Sequence, residues 1–176
     1  MTPHCSGFDP AKVYKYVYNN IMKRFIYISG LLLLVLSSIS CLKDAEICKN
    51  RDISVEEPDI INYNTSQGIN AIRDPSGVYY QVLNYGSGAT PTGTSIVSVK
   101  YTGKLLDGTI FTQENIPTDV DMKLVIQGWK IGLPLIQKGG IIKLIIPSSL
   151  AYGCNGFATV PGNAILVFQI ELVDVH

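Results

Sequence analysis

From Gly77 onward the chain alternates between apolar and polar positions. Val78, Tyr80 and Val82 share one parity and Tyr79, Gln81 and Leu83 the other, which predicts a first strand. Gly86-Ser87-Gly88 and Thr90-Pro91-Thr92-Gly93 supply a loop. Val97, Val99 and Tyr101 then alternate with Ser98, Lys100 and Thr102. Asp107-Gly108 lies between Lys104-Leu105-Leu106 and Thr109-Ile110-Phe111, and its acceptance of positive φ predicts a type I′ hairpin turn. Residues 141–146, ended by Pro147, and residues 164–175 give two more strands. In the last, Leu166, Phe168, Ile170 and Leu172 fall on one face while Gln169 and Glu171 point away. The one helix of this region spans residues 127–137, with Trp129, Leu133 and Ile136 at helical spacing and Gly139-Gly140 as its stop. Pro134 withholds a hydrogen bond and shortens it to a turn or two. The implied class is α+β, a curved antiparallel β-sheet (a half barrel) wrapped around one short helix.

Upstream the pattern changes character. Met22-Lys23-Arg24 precedes an apolar run from Phe25 to Ile39, then Ser40-Cys41. A short positive head, an apolar stretch and a small residue at its end read as a secretory signal over 22–40, and the run is short for a bilayer span. Cys41 directly after Ser38-Ile39-Ser40 resembles a bacterial lipobox, with Ser38 where leucine is usual. Acylation of Cys41 and attachment to a lipid bilayer follow as expectations. Residues 1–21 then precede the true start, as a start-site artefact. Leu42 is not the aspartate that signals inner-membrane retention, so the outer membrane of a Gram-negative envelope is the expected address. Residues 41–75 are polar, and are read as a tether with one short helix around Asp59 to Ser66. Asp74-Pro75-Ser76-Gly77 is a turn signal that opens a domain over 76–176.

Charge and composition narrow the chemistry. From Cys41 on, 10 basic residues stand against 13 acidic ones, and no basic cluster offers a nucleic-acid surface. His4 and His176, at the two extremes, are the only histidines, which leaves no buried imidazole for nucleophilic catalysis and few ways to build a metal site. Neither metal nor cofactor is expected. The cysteines (Cys5, Cys41, Cys48, Cys154) show no metal spacing. Cys48 falls in the polar segment, so Cys48 and Cys154 are read as isolated thiols, a disulfide between them being the minor alternative.

Four separated strings then match one family. Residues 97–111 resemble V-x-V-x-Y-x-G-x-L-x-D-G-x-x-F; Val125-Ile126-Gln127-Gly128-Trp129 resembles V-I-x-G-W; Ile146-Pro147 with Ala151-Tyr152-Gly153 resembles I-P-x-x-x-A-Y-G; and Val160-Pro161 with residues 163–168 resembles I-P-x-N-A-x-L-V-F. In order, and covering about 100 residues, these are similar to the FK506-binding-protein (FKBP) type of peptidyl-prolyl cis-trans isomerase. The resemblance implies a shallow apolar pocket for a substrate proline, floored by Trp129 and walled by Tyr101, Phe111 and Phe168, with Val125, Ile126 and Tyr152 completing it. The Ile126 N–H and the Tyr152 hydroxyl would bind substrate carbonyls. Thr112 stands where the family carries aspartate and Val120 where it carries an aromatic, which implies weak rather than tight macrolide binding. The expected activity is isomerisation of Xaa-Pro bonds in unfolded or partly folded exported chains. The alternative is a membrane-anchored module that binds proline segments without turning them over.

Overall fold

The computed structural model describes residues 48–176; the signal, Cys41 and the segment 1–47 lie outside the described residues. In chain order the elements are α1 (Ile53–Ser66), β1 (Ile72–Arg73), β2 (Tyr79–Asn84), β3 (Ile96–Leu105), β4 (Ile110–Asp121), α2 (Gln127–Gly132), β5 (Ile141–Ile146) and β6 (Leu166–Val175). The strands form one antiparallel sheet in the order β1-β2-β5-β6-β3-β4. The long β6 sits at its centre, pairing Phe168 with Gly103 on β3 and with Leu144 on β5.

One face of the sheet carries the main core. Val97, Val99, Ile142, Leu144, Leu166, Phe168, Ile170 and Leu172 are buried there against Trp129 and Leu133 of the helical segment. The alternation in β6 was therefore a faithful guide to which side chains point inward. Helix α2 is a short turn of six residues that runs into a 3-10 turn at Leu133–Leu135, where Pro134 is tolerated because no N–H is needed at the start. It presses directly on β5, since side chains at Gly128 and Gly132 would collide with Ile146 and Leu144.

The opposite face holds a second core of Ile60, Ile69, Tyr79, Ile145, Ile165 and Val167. This corrects the tether reading for residues 48–75. The helix there begins at Ile53, six residues before the expected start, and its Ile60 is fully buried. Asp52 caps it, its carboxylate accepting the Ser54 N–H at 2.8 Å. Pro58 lies inside the helix and masks the pattern, yet packing outweighs its local cost. The buried Glu56 carboxylate accepts the N–H (2.8 Å) and hydroxyl (2.5 Å) of Ser148. Glu57 takes the Tyr79 hydroxyl at 2.6 Å and pairs with Arg73 at 2.8 Å. Cys48 through His176 thus form one compact unit.

Two further expectations need correction. Cys48 and Cys154 are joined by a disulfide, 106 residues apart in sequence. A cross-link closing a loop of about 100 residues contributes about 4 to 5 kcal/mol in the chain-entropy account. The isolated-thiol reading failed because it placed Cys48 on a free linker. At the β3–β4 hairpin only Gly108 takes a positive φ (89°), so the turn is not type I′. Instead the Gly108 N–H returns to the Leu105 carbonyl (3.0 Å), and the Asp107 carboxylate accepts the Thr109 N–H (2.8 Å).

Candidate functional site

A cavity of ≈ 540 Å³ opens at one end of the inner face. Every pocket residue expected from the sequence lines it: Tyr101 from β3, Phe111, Thr112 and Val120 from β4, Val125 and Ile126 from the β4–α2 connection, Trp129 from α2, Tyr152 from the loop after β5, and Phe168 from β6. Five further residues complete the lining and were not foreseen, Leu124 and the run from Phe157 to Val160. Phe157 and Leu124 are 64 % and 85 % exposed. Apolar residues of a loop carry no periodicity, which is why sequence patterning passed over them; the Phe157-Ala158 pair within an otherwise turn-rich stretch was the available signal.

The rings meet edge to face. Trp129, only 5 % exposed, lies with its ring centroid 5.1 Å from Tyr101 and 5.3 Å from Phe168, at interplanar angles of 83° and 89°. Phe111 meets Phe168 at 5.6 Å and 88°. Such T-shaped contacts place the positive ring edges on neighbouring π-faces and add to simple burial, so the floor is a fixed cluster. Gly103 makes the cluster fit. A Cβ there would stand 2.7 Å from Phe168 Cε1, 2.7 Å from Thr112 Cγ2 and 2.8 Å from Phe111 Cζ. On the far wall Tyr152 stacks on Phe157 at 5.1 Å and 21°.

Polar groups are few in this lining, and three donors lack partners among the described residues. Ile126 is the N-cap of α2, and its carbonyl accepts the Trp129 N–H at 3.0 Å. Among the described residues its own N–H makes no hydrogen bond, and neither does the Tyr152 hydroxyl. Burial, and secondarily the nearby Tyr101, raises the Tyr152 hydroxyl above the usual tyrosine pKa, so it remains a protonated donor at neutral pH. The indole Nε1–H of Trp129 is buried and also unpartnered among the described residues. Among the described residues the lining carries no carboxylate, imidazole or amine, and its donors face an apolar bowl.

A half-open antiparallel sheet with a short helix across its inner face and an aromatic pocket at one end defines an α+β domain with an apolar cleft. Residues 88–173 match the family model described as FKBP-type peptidyl-prolyl cis-trans isomerase. That stretch, just under half of the chain, carries the family's sequence pattern. Among curated proteins it is 44% identical over 104 residues to the FKBP-type peptidyl-prolyl cis-trans isomerase FkpA of Aeromonas hydrophila, covering 57% of this chain and 39% of that one. It is 36% identical over 125 residues to a probable FKBP-type isomerase of Haemophilus influenzae, covering 69% and 52%. The crystal structure of FkpA from Escherichia coli superimposes with a TM-score of 0.63 at 28% identity, covering 97% of this chain and 83% of that one. The chain spans about two-fifths to one-half of the length of these curated relatives.

Proposed function

We propose that this chain is a peptidyl-prolyl cis-trans isomerase that acts on unfolded or partly folded exported proteins at the cell envelope, held there by an acylated Cys41. The observation that carries the activity is the pair of donors without partners among the described residues, Ile126 N–H and Tyr152 hydroxyl, on a cavity floored by Trp129. Rotation about an Xaa-Pro bond faces a barrier of about 18 to 20 kcal/mol, because amide resonance must be broken. The planar amide is more polar than the twisted one. An apolar pocket therefore disfavours the ground state more than the transition state, and donors that fit the twisted carbonyls bind the transition state selectively. A barrier lowered by about 4 kcal/mol gives roughly a thousandfold acceleration. Neither proton transfer nor metal chemistry is needed.

Export is supported by the apolar leader and by the Cys48–Cys154 bridge, since disulfides persist in oxidising compartments. Thr112 and Val120 line the pocket where the family carries an acid and an aromatic, and weak macrolide binding follows from that exchange. A protease-free isomerisation assay on Xaa-Pro peptides tests the activity: turnover well above background supports the enzyme, whereas binding at the background rate would leave a proline-segment binding module. Mass spectrometry of the mature chain tests the anchor. A diacyl or triacyl cysteine at position 41 as the first residue is expected, and an unmodified Cys41 overturns it.

A further inference from the structure

One wall of the pocket comes from a loop rather than from a strand. Tyr152, Phe157, Ala158, Thr159 and Val160 all lie on the connection between β5 and β6, which is packed on the main core through Val160 and tied to residues 48–56. Cys48 is bonded to Cys154, two residues after Tyr152. The Asn50 carboxamide oxygen accepts the Cys154 N–H at 2.8 Å. That oxygen lies so close over Gly153 (φ 61°) that a Cβ there would stand 2.5 Å from it. The Arg51 N–H donates to the Asn163 side chain at 3.3 Å, and Asn163 in turn donates its N–H to the Gly153 carbonyl at 2.8 Å. At the start of the connection, Glu56 holds Ser148 by two hydrogen bonds. Residues 48–56, the arm, therefore grip the connection near its beginning, beside Tyr152 and near its end.

We propose that Cys48, Cys154 and Asn50 are positioning residues for substrate recognition: the bridge and the Asn50 hydrogen bond fix the Tyr152–Val160 wall at the separation from Trp129 that a prolyl peptide requires. This rests on the pocket being the prolyl-peptide site. Without the bridge, the wall samples wider positions and ordering it is charged to binding, while the floor of Trp129, Tyr101 and Phe168 and the Ile126 N–H are unaffected. The loss therefore falls on affinity and KM more than on kcat.

Trp129 is the chain's single tryptophan, so its fluorescence reports peptide binding directly. The experiment compares the oxidised full chain with the Cys48→Ser/Cys154→Ser double variant, with Asn50→Ala, and with Leu172→Ala as a core-destabilised control. Each is assayed for Xaa-Pro peptide Kd by fluorescence, for KM and kcat, and for amide hydrogen exchange over residues 152–160. Kd and KM are expected to rise about 3- to 10-fold in the double variant and less in Asn50→Ala, with kcat within about twofold, as for a binding cost of ordering one wall. Loop exchange accelerates in both, and Leu172→Ala shows none of these changes. If the double variant does not fold, the folded wild-type chain is treated with a dithiol. Each bridge then becomes two thiols while one dithiol closes to a cyclic disulfide, and reoxidation should restore the affinity. Unchanged Kd and KM, or unaltered loop exchange, overturns the proposal. An oxidised wild-type chain that binds but does not turn over refutes the isomerase reading, and the positioning role is then decided by Kd and loop exchange alone.

Discussion

Replacing Tyr152 by phenylalanine removes one oxygen atom and leaves the ring that stacks on Phe157. The hydroxyl has no hydrogen-bond partner among the described residues, so the fold loses no bond with it. Stability should stay within about 0.5 kcal/mol of wild type. A hydrogen bond to a substrate carbonyl is worth about 0.5 to 1.5 kcal/mol net. That corresponds to a fall in kcat/KM of about 2- to 12-fold. If the carbonyl is gripped equally in the planar and twisted states, the loss appears in KM; if only when twisted, it appears in kcat. Protease-free isomerisation of an Xaa-Pro peptide across a range of concentrations, together with a thermal melt, separates these cases. Wild-type kcat/KM in a variant that melts like wild type would show that the hydroxyl takes no part, and would remove one of the two donors on which the mechanism stands. The raised Tyr152 pKa adds a second check. The donor keeps its proton through the neutral range, so wild-type kcat/KM should be flat from about pH 6 to about pH 9.

Gly103→Ala places a methyl group against Phe168, Phe111 and Thr112 at 2.7 to 2.8 Å. Overpacking of this kind costs about 1 to 3 kcal/mol and forces the ring cluster apart, so both the melting temperature and peptide affinity should fall; wild-type values for both would mean that the walls yield freely. Ile60→Ala should cost about 2 to 5 kcal/mol in urea unfolding, because the side chain is wholly buried in the second core, whereas a free tether would tolerate it. Glu57 sits below the usual carboxylate range, first through the Tyr79 hydroxyl and then through Arg73. A lowered folded pKa means that its contribution is fully present above the unfolded value of about 4.3 and fades as pH falls through the folded one. Urea midpoints should therefore show Glu57→Gln weakening the chain at pH 7 and converging on wild type in acid; an equal gap at both would contradict the assignment.

The pocket was legible through the family resemblance of four separated strings, since strand parity alone would have read the same side chains as ordinary core. Tyr101, Phe111 and Phe168 share the inward parity of β3, β4 and β6, and Trp129 follows the N-cap of α2. The wall from Phe157 to Val160 was not, since a loop's shape depends on contacts distant in sequence. The larger miss was the arm, and here a physical signal was available. Strand β5 reads Ile-Ile-Lys-Leu-Ile-Ile, which breaks alternation at its end and places Ile145 on the face away from the pocket, beside Val167 of β6 and Tyr79 of β2. Apolar side chains on both faces of a sheet require a cover on both. With α2 committed to the inner face, the unassigned apolar residues upstream, Ile60 and Ile69, were the available cover for the outer one. Once they are docked, Cys48 is no longer on a linker, and its pairing with Cys154 follows from proximity rather than chance.

The same reasoning changes what an anchor at Cys41 would mean. A tether reaching to residue 75 would let the domain range far from a bilayer. With residues from Cys48 onward built into the folded unit, seven steps of chain separate the proposed lipid site from the first described residue. That allows a reach of at most about 25 Å. Cys48 is also the residue that staples the Tyr152 wall. Under the proposed anchor the lipid attachment lies seven residues before Cys48 in sequence, and the clients served would be chains passing close to the membrane surface. Lengthening the chain with a flexible insert between Cys41 and Cys48 should leave turnover of free peptides unchanged. If the short reach matters, folding of membrane-proximal clients should fall; equal client folding with a long insert would refute that step.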